Sequence, residues 1–184
     1  MSTQKIQSII ESSIAVKQQY VADPAFLQKI NEAVTLVATA FKNGFKVQFC
    51  GNGGSAADAQ HLAAEFSGRF YKNRKALPSD ALHCNSSYLT AVANDYSYDD
   101  IYSRLVEGTM YKGDVLVGIS TSGNSGNIVK AFEMAKSMGI VTIGFTGAPG
   151  GKMSELSDVL INVPSTDTPR IQESHILIGH IICE

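Results

Sequence analysis

The 184-residue sequence predicts a three-layer α/β/α sandwich built on a five-stranded parallel sheet and preceded by two helices. Three observations carry this expectation. Short, near-continuous apolar runs alternate with stretches of helical periodicity, as strands buried on both faces of a parallel sheet require. Two further helical periodicities come before the first such run. The length is that of one well-buried domain, so residues 1–184 are read as a single unit.

In chain order, Ile6, Ile9, Ile10 and Ile14, then Phe26, Leu27, Ile30, Val34, Val37 and Phe41, fall at helical spacing. Asp23-Pro24 separates the two helices and Asn43-Gly44 stops the second. Residues 1–44 are therefore assigned to helices available for assembly, and 45–184 to the α/β core. The strand candidates are Lys46–Cys50, Ala81–Cys84, Val115–Ile119, Val141–Phe145 and Val159–Val163. A last helix starts near Arg170 and is still apolar at Ile176, Leu177, Ile181 and Ile182. No stop signal precedes Glu184, which leaves open a continuation of the natural chain.

Composition narrows the function. Fifteen basic residues against seventeen acidic ones give a net charge of -2, with no electrostatic footprint for nucleic acid or an anionic membrane. An anion would have to be held locally. No apolar run approaches the roughly 20 residues of a membrane span. The N-terminus Met1-Ser-Thr-Gln-Lys lacks the build of a signal peptide, so the expected location is cytoplasmic. Cys50, Cys84 and Cys183 are odd in number and widely spaced, which indicates neither a disulfide framework nor a zinc ribbon. Cys50 and Cys84 each close an apolar run and are read as small core residues.

Ligands of a doubly wound sheet bind at the carboxyl ends of its strands. After the first strand comes Gly51-Asn-Gly-Gly-Ser-Ala56, which fits the G-x-G-x-x-A form of a dinucleotide turn. A dinucleotide site also needs a carboxylate about 20 residues on, at the end of the second strand, for the ribose. Here that strand ends in Cys84-Asn-Ser-Ser87, so no nucleotide cofactor is expected. Ser55 and Asp58 have the spacing of a helix cap. Three glycines in four positions exceed what a turn needs, and a ligand loop accounts for the excess.

The third strand runs into Ser120-Thr-Ser-Gly-Asn-Ser125, then Gly126-Asn127 and a helix. Four hydroxyls in six positions, with the N–H groups of a helix start, form an anion site that needs no arginine. A phosphate monoester fits it. The lysine of a P-loop is absent.

With both loops placed, the chain resembles the sugar isomerase (SIS) domain family, and within it the phosphoheptose isomerases. The resemblance rests on "GNGGSAADAQHLAAEFSGRF", "LTAVANDYSYDDIYSR", "GDVLVGISTSGNSGNIVKA", "TGAPGGKM" and "RIQESHILIGHII", which cover most of the chain from Lys46 on. It implies a flavodoxin-like SIS fold. It also implies interconversion of sedoheptulose 7-phosphate and D-glycero-D-manno-heptose 7-phosphate, for the lipopolysaccharide core. Carried onto matching positions, it assigns Asn52, Gly53, Gly54, Glu65, Asn94, Asp95, Ser120, Thr121, Ser122, Ser125 and Gln172 to the substrate. Glu65 and His180 become the acid–base pair, and His61, Glu65, Gln172 and His180 a zinc position. The resemblance further implies a homotetramer with active sites at subunit interfaces. Thr168-Pro169 departs from the polar approach to "RIQE" found in some members.

Aldose–ketose isomerisation needs a base for carbon and a shuttle for the oxygens, tasks that suit glutamate and histidine respectively. Four residues apart, His61 and Glu65 share a helix face. Gln172 and His180 lie about 12 Å apart along one helix, a span that suits a substrate better than a compact metal. His61, Glu65 and His180 nevertheless have the composition of a catalytic zinc set. His83, inside a strand run, and His175 are read as core histidines. Tyr96 and Tyr98 flank the Asp95 segment, and spacing does not decide which of them meets a ligand. Two other classes compete: a non-catalytic SIS protein that senses a sugar phosphate or binds the replication initiator DnaA, and a dinucleotide oxidoreductase. The presence of Glu65 and His180 speaks against the first, and the missing ribose carboxylate against the second.

Overall fold

The computed structural model describes Met1–Glu184. Helices α1 (Thr3–Val21) and α2 (Pro24–Lys42) meet at Asp23, whose carboxylate accepts from the Ala25 N–H while Pro24 opens α2 with its φ already helical. There follow β1 (Val47–Gly51), α3 (Gly54–Ser67), β2 (Ser79–Ala81), α4 (Ser86–Asp95) and a 3₁₀ turn at Tyr98–Asp100. The chain continues through α5 (Ile101–Thr109), β3 (Val115–Ile119), α6 (Gly126–Ser137) and β4 (Val141–Thr146). It ends with α7 (Met153–Leu156), β5 (Val159–Asn162) and α8 (Thr168–Cys183). No helix is long and apolar enough to cross a membrane.

All strand pairs are parallel, in the order β2-β1-β3-β4-β5. That is the flavodoxin-like doubly wound order, whose switch point lies between β1 and β3. Gly51 is in register with Ile119, so the two central strands end level and their loops start side by side.

The sheet separates two apolar clusters. On one face Phe49, Val117, Phe145 and Ile161 pack with α2, α3 and α8; on the other Leu116 packs with α5 and α6. Helix α2 belongs to the first layer, burying Phe26, Ile30, Ala33, Val37 and Ala40. Helix α1 joins it only through Val16 and Tyr20 and leaves Ile6, Ile10 and Ile14 about half exposed. Of the two apolar stripes available for assembly, the chain itself covers one.

The second strand differs from expectation. It spans Ser79–Ala81, and Leu82-His83 form a turn that leads to Asn85, the N-cap of α4. The Asn85 side chain accepts from the Tyr88 N–H, and this cap ends the extended run early. Cys84 is consequently exposed, whereas Cys50 is buried as expected. His83 is not a satisfied core histidine, since it is half-buried and its Nδ1 has no hydrogen-bond partner.

His175 does match its reading. It is fully buried on α8, and its Nε2–H donates to the Thr146 carbonyl at 3.1 Å. Burial lowers its pKa to about 4. The neutral imidazole is therefore the folded form. Its stabilising contribution is complete above the unfolded value near 6.5 and is lost as pH falls toward 4. Denaturant unfolding at pH 5 is expected to give a stability roughly 2 kcal/mol below that at pH 7.5 from this group. His175→Gln should flatten the difference; an unchanged pH slope in that variant would assign the acid sensitivity elsewhere.

Candidate active site

The turn after β1 is shaped by close approach. A Cβ on Gly51 would lie 2.3 Å from the Ser55 carbonyl oxygen, because α3 folds back directly on the strand end. Gly53 holds φ at +55°, in the region that disfavours any side chain. The helix therefore starts at Gly54, and Ser55 lies buried inside its first turn. The expected Ser55–Asp58 cap is not formed, and α3 begins without any side-chain cap.

The hydroxyl loop is equally constrained. Ser120 Oγ lies 2.9 Å from Ser125 Oγ and 3.5 Å from Ser122 Oγ, so three hydroxyls converge. Gly123 holds φ at +66°, and a Cβ there would sit 2.0 Å from the Gly150 carbonyl oxygen. Lys152 N–H donates to Asn124 Oδ1 and Met153 N–H to the Gly123 carbonyl, which pins the loop from behind. Helix α6 starts at Gly126 with no cap from the Ser125 side chain, and in its first turn the Ile128 N–H donates to Asn127 Oδ1 at 3.0 Å. Clustered hydroxyls and the remaining N–H groups of the helix start present donors to an anion.

The two loops are joined. Asn52 Nδ2 donates to Asn127 Oδ1 at 2.9 Å, and Asn127 Nδ2 returns a bond to Asn52 Oδ1 at 2.8 Å. Tyr98 Oη reaches the same Asn52 oxygen at 3.3 Å, and Tyr102 Oη donates to the Gly51 carbonyl at 2.5 Å. Tyr96 turns away and lies under Arg104, 4.3 Å from its guanidinium carbon.

Helices α3 and α8 run side by side in the same direction. Gln172 lies against Gly54, where a Cβ would meet its Nε2 at 2.8 Å. Two turns further on, a Cβ on Gly179 would meet Leu62 Cδ1 at 2.5 Å. This close approach brings the His61 and His180 rings to 5.0 Å, edge to face. His61 Nε2 lies 3.2 Å from Glu65 Oε1. Asp58, on the same stripe, has its pKa raised by burial, against which the fields of His61 and His180 act. Phe70 stacks on His180, and the His180 Nε2 is buried without a hydrogen-bond partner.

A family model for the SIS domain matches residues 11–147. The phosphoheptose isomerase of Aneurinibacillus thermoaerophilus is 54% identical over 97% of this chain and 90% of its own length. That of Clostridium acetobutylicum is 53% identical over 97% and 91%. Among solved structures, a phosphoheptose isomerase from Neisseria gonorrhoeae superposes with a TM-score of 0.91 at 41% identity, over 98% of this chain and 95% of that one. The chain belongs to the phosphoheptose isomerase family of SIS-domain proteins.

As a member of that family the chain is an isomerase, and its expected site residues fall into two groups. Asn52, Gly53, Gly54, Ser120, Thr121, Ser122, Ser125 and Gln172 surround the switch point. Glu65, His61 and His180 gather further along α3 and α8. Asn94 and Asp95 join neither group within the chain; both are exposed, and Asn94 Nδ2 bonds Asp95 Oδ1. The four residues expected to hold zinc do not converge. Gln172 stays beside Gly54, about 12 Å along α8 from His180. Glu65 faces His61, and no group of three or more His, Cys, Asp or Glu side chains is placed to hold a metal ion. The ligand set does not fit zinc in this arrangement.

Two contributors carry no sequence signal: Asn127, which orients Asn52, and Phe70, which touches His180. Asp58 was legible only as a cap. Gly179 is one more glycine in a helix, yet it sets the spacing of α3 and α8. Gly179→Val should overpack this contact, at a cost of about 1–3 kcal/mol. Turnover should fall because His180 is pushed away from His61 and Glu65. Wild-type stability and turnover in that variant would show that the approach of the helices is not limiting.

Proposed function

We propose that this isomerase interconverts D-sedoheptulose 7-phosphate and D-glycero-D-manno-heptose 7-phosphate through an enediol. The product would serve heptose synthesis for the lipopolysaccharide core. The observation that carries this reading is the α3–α8 approach, which sets a half-buried carboxylate and two imidazoles at one place in a chain that also carries a built anion loop. Glu65 takes the proton from C1 of the ketose, leaving the C1=C2 enediol as the O2 oxygen is protonated. The same carboxyl returns the proton to C2 while O1 gives up its own, so the aldehyde forms with no net proton change. His180 carries the proton between O1 and O2, a general acid–base role.

The phosphate and the reacting carbons are held by different parts of the chain. Glu65 is eleven residues past Gly54 along α3, about 16 Å by helix rise. A seven-carbon phosphate with C–C bonds of about 1.5 Å reaches only about 10 Å from phosphorus to C2. This spacing favours a site in which one chain supplies the serine loop with Asn52 and Gln172 and a second copy supplies Glu65 and His180. The exposed Ile6, Ile10 and Ile14 of α1, with Leu177 and Ile181 of α8, offer apolar surface for that assembly. The family resemblance gives the assembly as a homotetramer.

Glu65→Gln keeps the shape and removes the base. Turnover should fall by about 10²–10⁴ with phosphate affinity retained. In D₂O the variant should leave the substrate free of deuterium at the reacting carbon; incorporation at the wild-type rate would hand the proton to another residue. The shared site is tested by mixing. Ser120→Ala/Ser122→Ala should weaken phosphate binding by about 1.5–3 kcal/mol per lost bond and be nearly inactive at low substrate. Subunit exchange with the Glu65→Gln protein should restore activity at low substrate. A verified mixed oligomer without recovery would put both groups in one chain.

A further inference from the structure

We infer that Phe70 is a positioning residue that orients the His180 imidazole from the loop between α3 and β2. This rests on the reading of His180 as the proton shuttle. The loop leaves α3 at Gly68 and is folded back onto the helix end. Arg74 donates to the Glu65 and Phe66 carbonyls at 3.0 and 2.8 Å and to that of Lys75 at 3.1 Å. The Leu77 N–H also donates to the Phe66 carbonyl. Carbonyls that a helix C-terminus leaves open are satisfied in this way, and the loop is held where a free connection would swing.

Folded back, the loop presents Phe70 to α8. The Phe70 and His180 rings are stacked with centroids 5.5 Å apart and planes at 25°, and Tyr71 backs Phe70 at 4.5 Å. The edge of the pair is closed by His61 at 5.0 Å and 75°. His180 Nε2 is buried and makes no hydrogen bond. That nitrogen is therefore aimed by what packs on the ring. Phe70 also forms, with Glu65, Arg69 and Tyr71, the wall of an open cleft of about 350 Å³, so the ring borders the space beside the proposed base.

A shuttle that must serve two oxygens is sensitive to its own placement: a misplacement of about 1 Å can cost about 10²-fold. Phe70→Leu keeps an apolar side chain and removes the stacking surface. In the full-length assembled protein it should lower kcat by roughly ten- to a hundredfold, with KM and inhibition by inorganic phosphate unchanged. Phe70→Tyr, which restores a flat ring, should recover most of the wild-type kcat. Should Phe70→Leu fail to fold by circular dichroism, Phe70→Met offers an unbranched side chain for the same comparison. Wild-type kcat in the non-aromatic variant, or an equal loss in Phe70→Tyr, would overturn the inference. His180→Gln separates the two ideas. If it is inactive while Phe70→Leu turns over normally, only the role of Phe70 is lost. If it is itself fully active, the shuttle reading fails.

Discussion

The divergence of the chain at β1 and β3 is the constraint on which the rest depends. Because β1 is flanked by β2 on one side and β3 on the other, the connections from the two central strands leave in opposite directions and open a crevice at their carboxyl ends. The level ends of Gly51 and Ile119 then set two loops side by side. Each loop is short and glycine-bearing because a helix begins at once behind it. Asn52 and Asn127 close the seam with a reciprocal pair of amide bonds, leaving backbone donors and hydroxyls facing the opening.

The cluster of His61, Glu65 and His180 sits away from that crevice, and a second contact puts it there. Helices α3 and α8 lie on the same face of the sheet and run parallel, so that Gln172 meets Gly54 at one end while His180 meets His61 further along. Only a glycine at 179 lets Leu62 come so near. The same parallel packing keeps Gln172 beside Gly54 and sets His61, Glu65 and His180 about two turns or more further along the helices. Helix α1, half uncovered, is clamped to α8 by Arg170, which donates to the Ile9 carbonyl and to Ser12 Oγ, and by the Ser13–Glu173 bond. The apolar surface that a neighbour would cover is thus tied to the helix bearing Gln172 and His180.

Much of this was legible beforehand, and the exceptions have physical causes. Strands buried on both faces announce themselves as apolar runs, and four of the five fall where the runs are. The exception is β2, an edge strand of three residues, where the Asn85 cap won over the apolar character of Leu82 and Cys84. The loops were legible because glycines and clustered hydroxyls are chemically unusual at strand ends. The cap read from Ser55 and Asp58 failed because Gly53, with its positive φ, starts the helix two residues earlier. Helix α2 read as a free amphipathic helix because periodicity shows that a stripe exists but not what covers it.

By itself the sequence determined the α/β class, the two ligand loops, and the placement of His61 and Glu65 on one helix face, since each follows from local spacing and local chemistry. Only the tertiary structure decided which groups meet. It brought His180 to His61, stacked Phe70 on His180, joined Asn52 to Asn127, and kept Gln172 and Asn94 out of the histidine cluster. The reason is that these are contacts between elements far apart in the chain. They depend on strand order and on how closely two helices can pack, and a glycine at 179 looks the same in sequence whether or not a leucine rests against it.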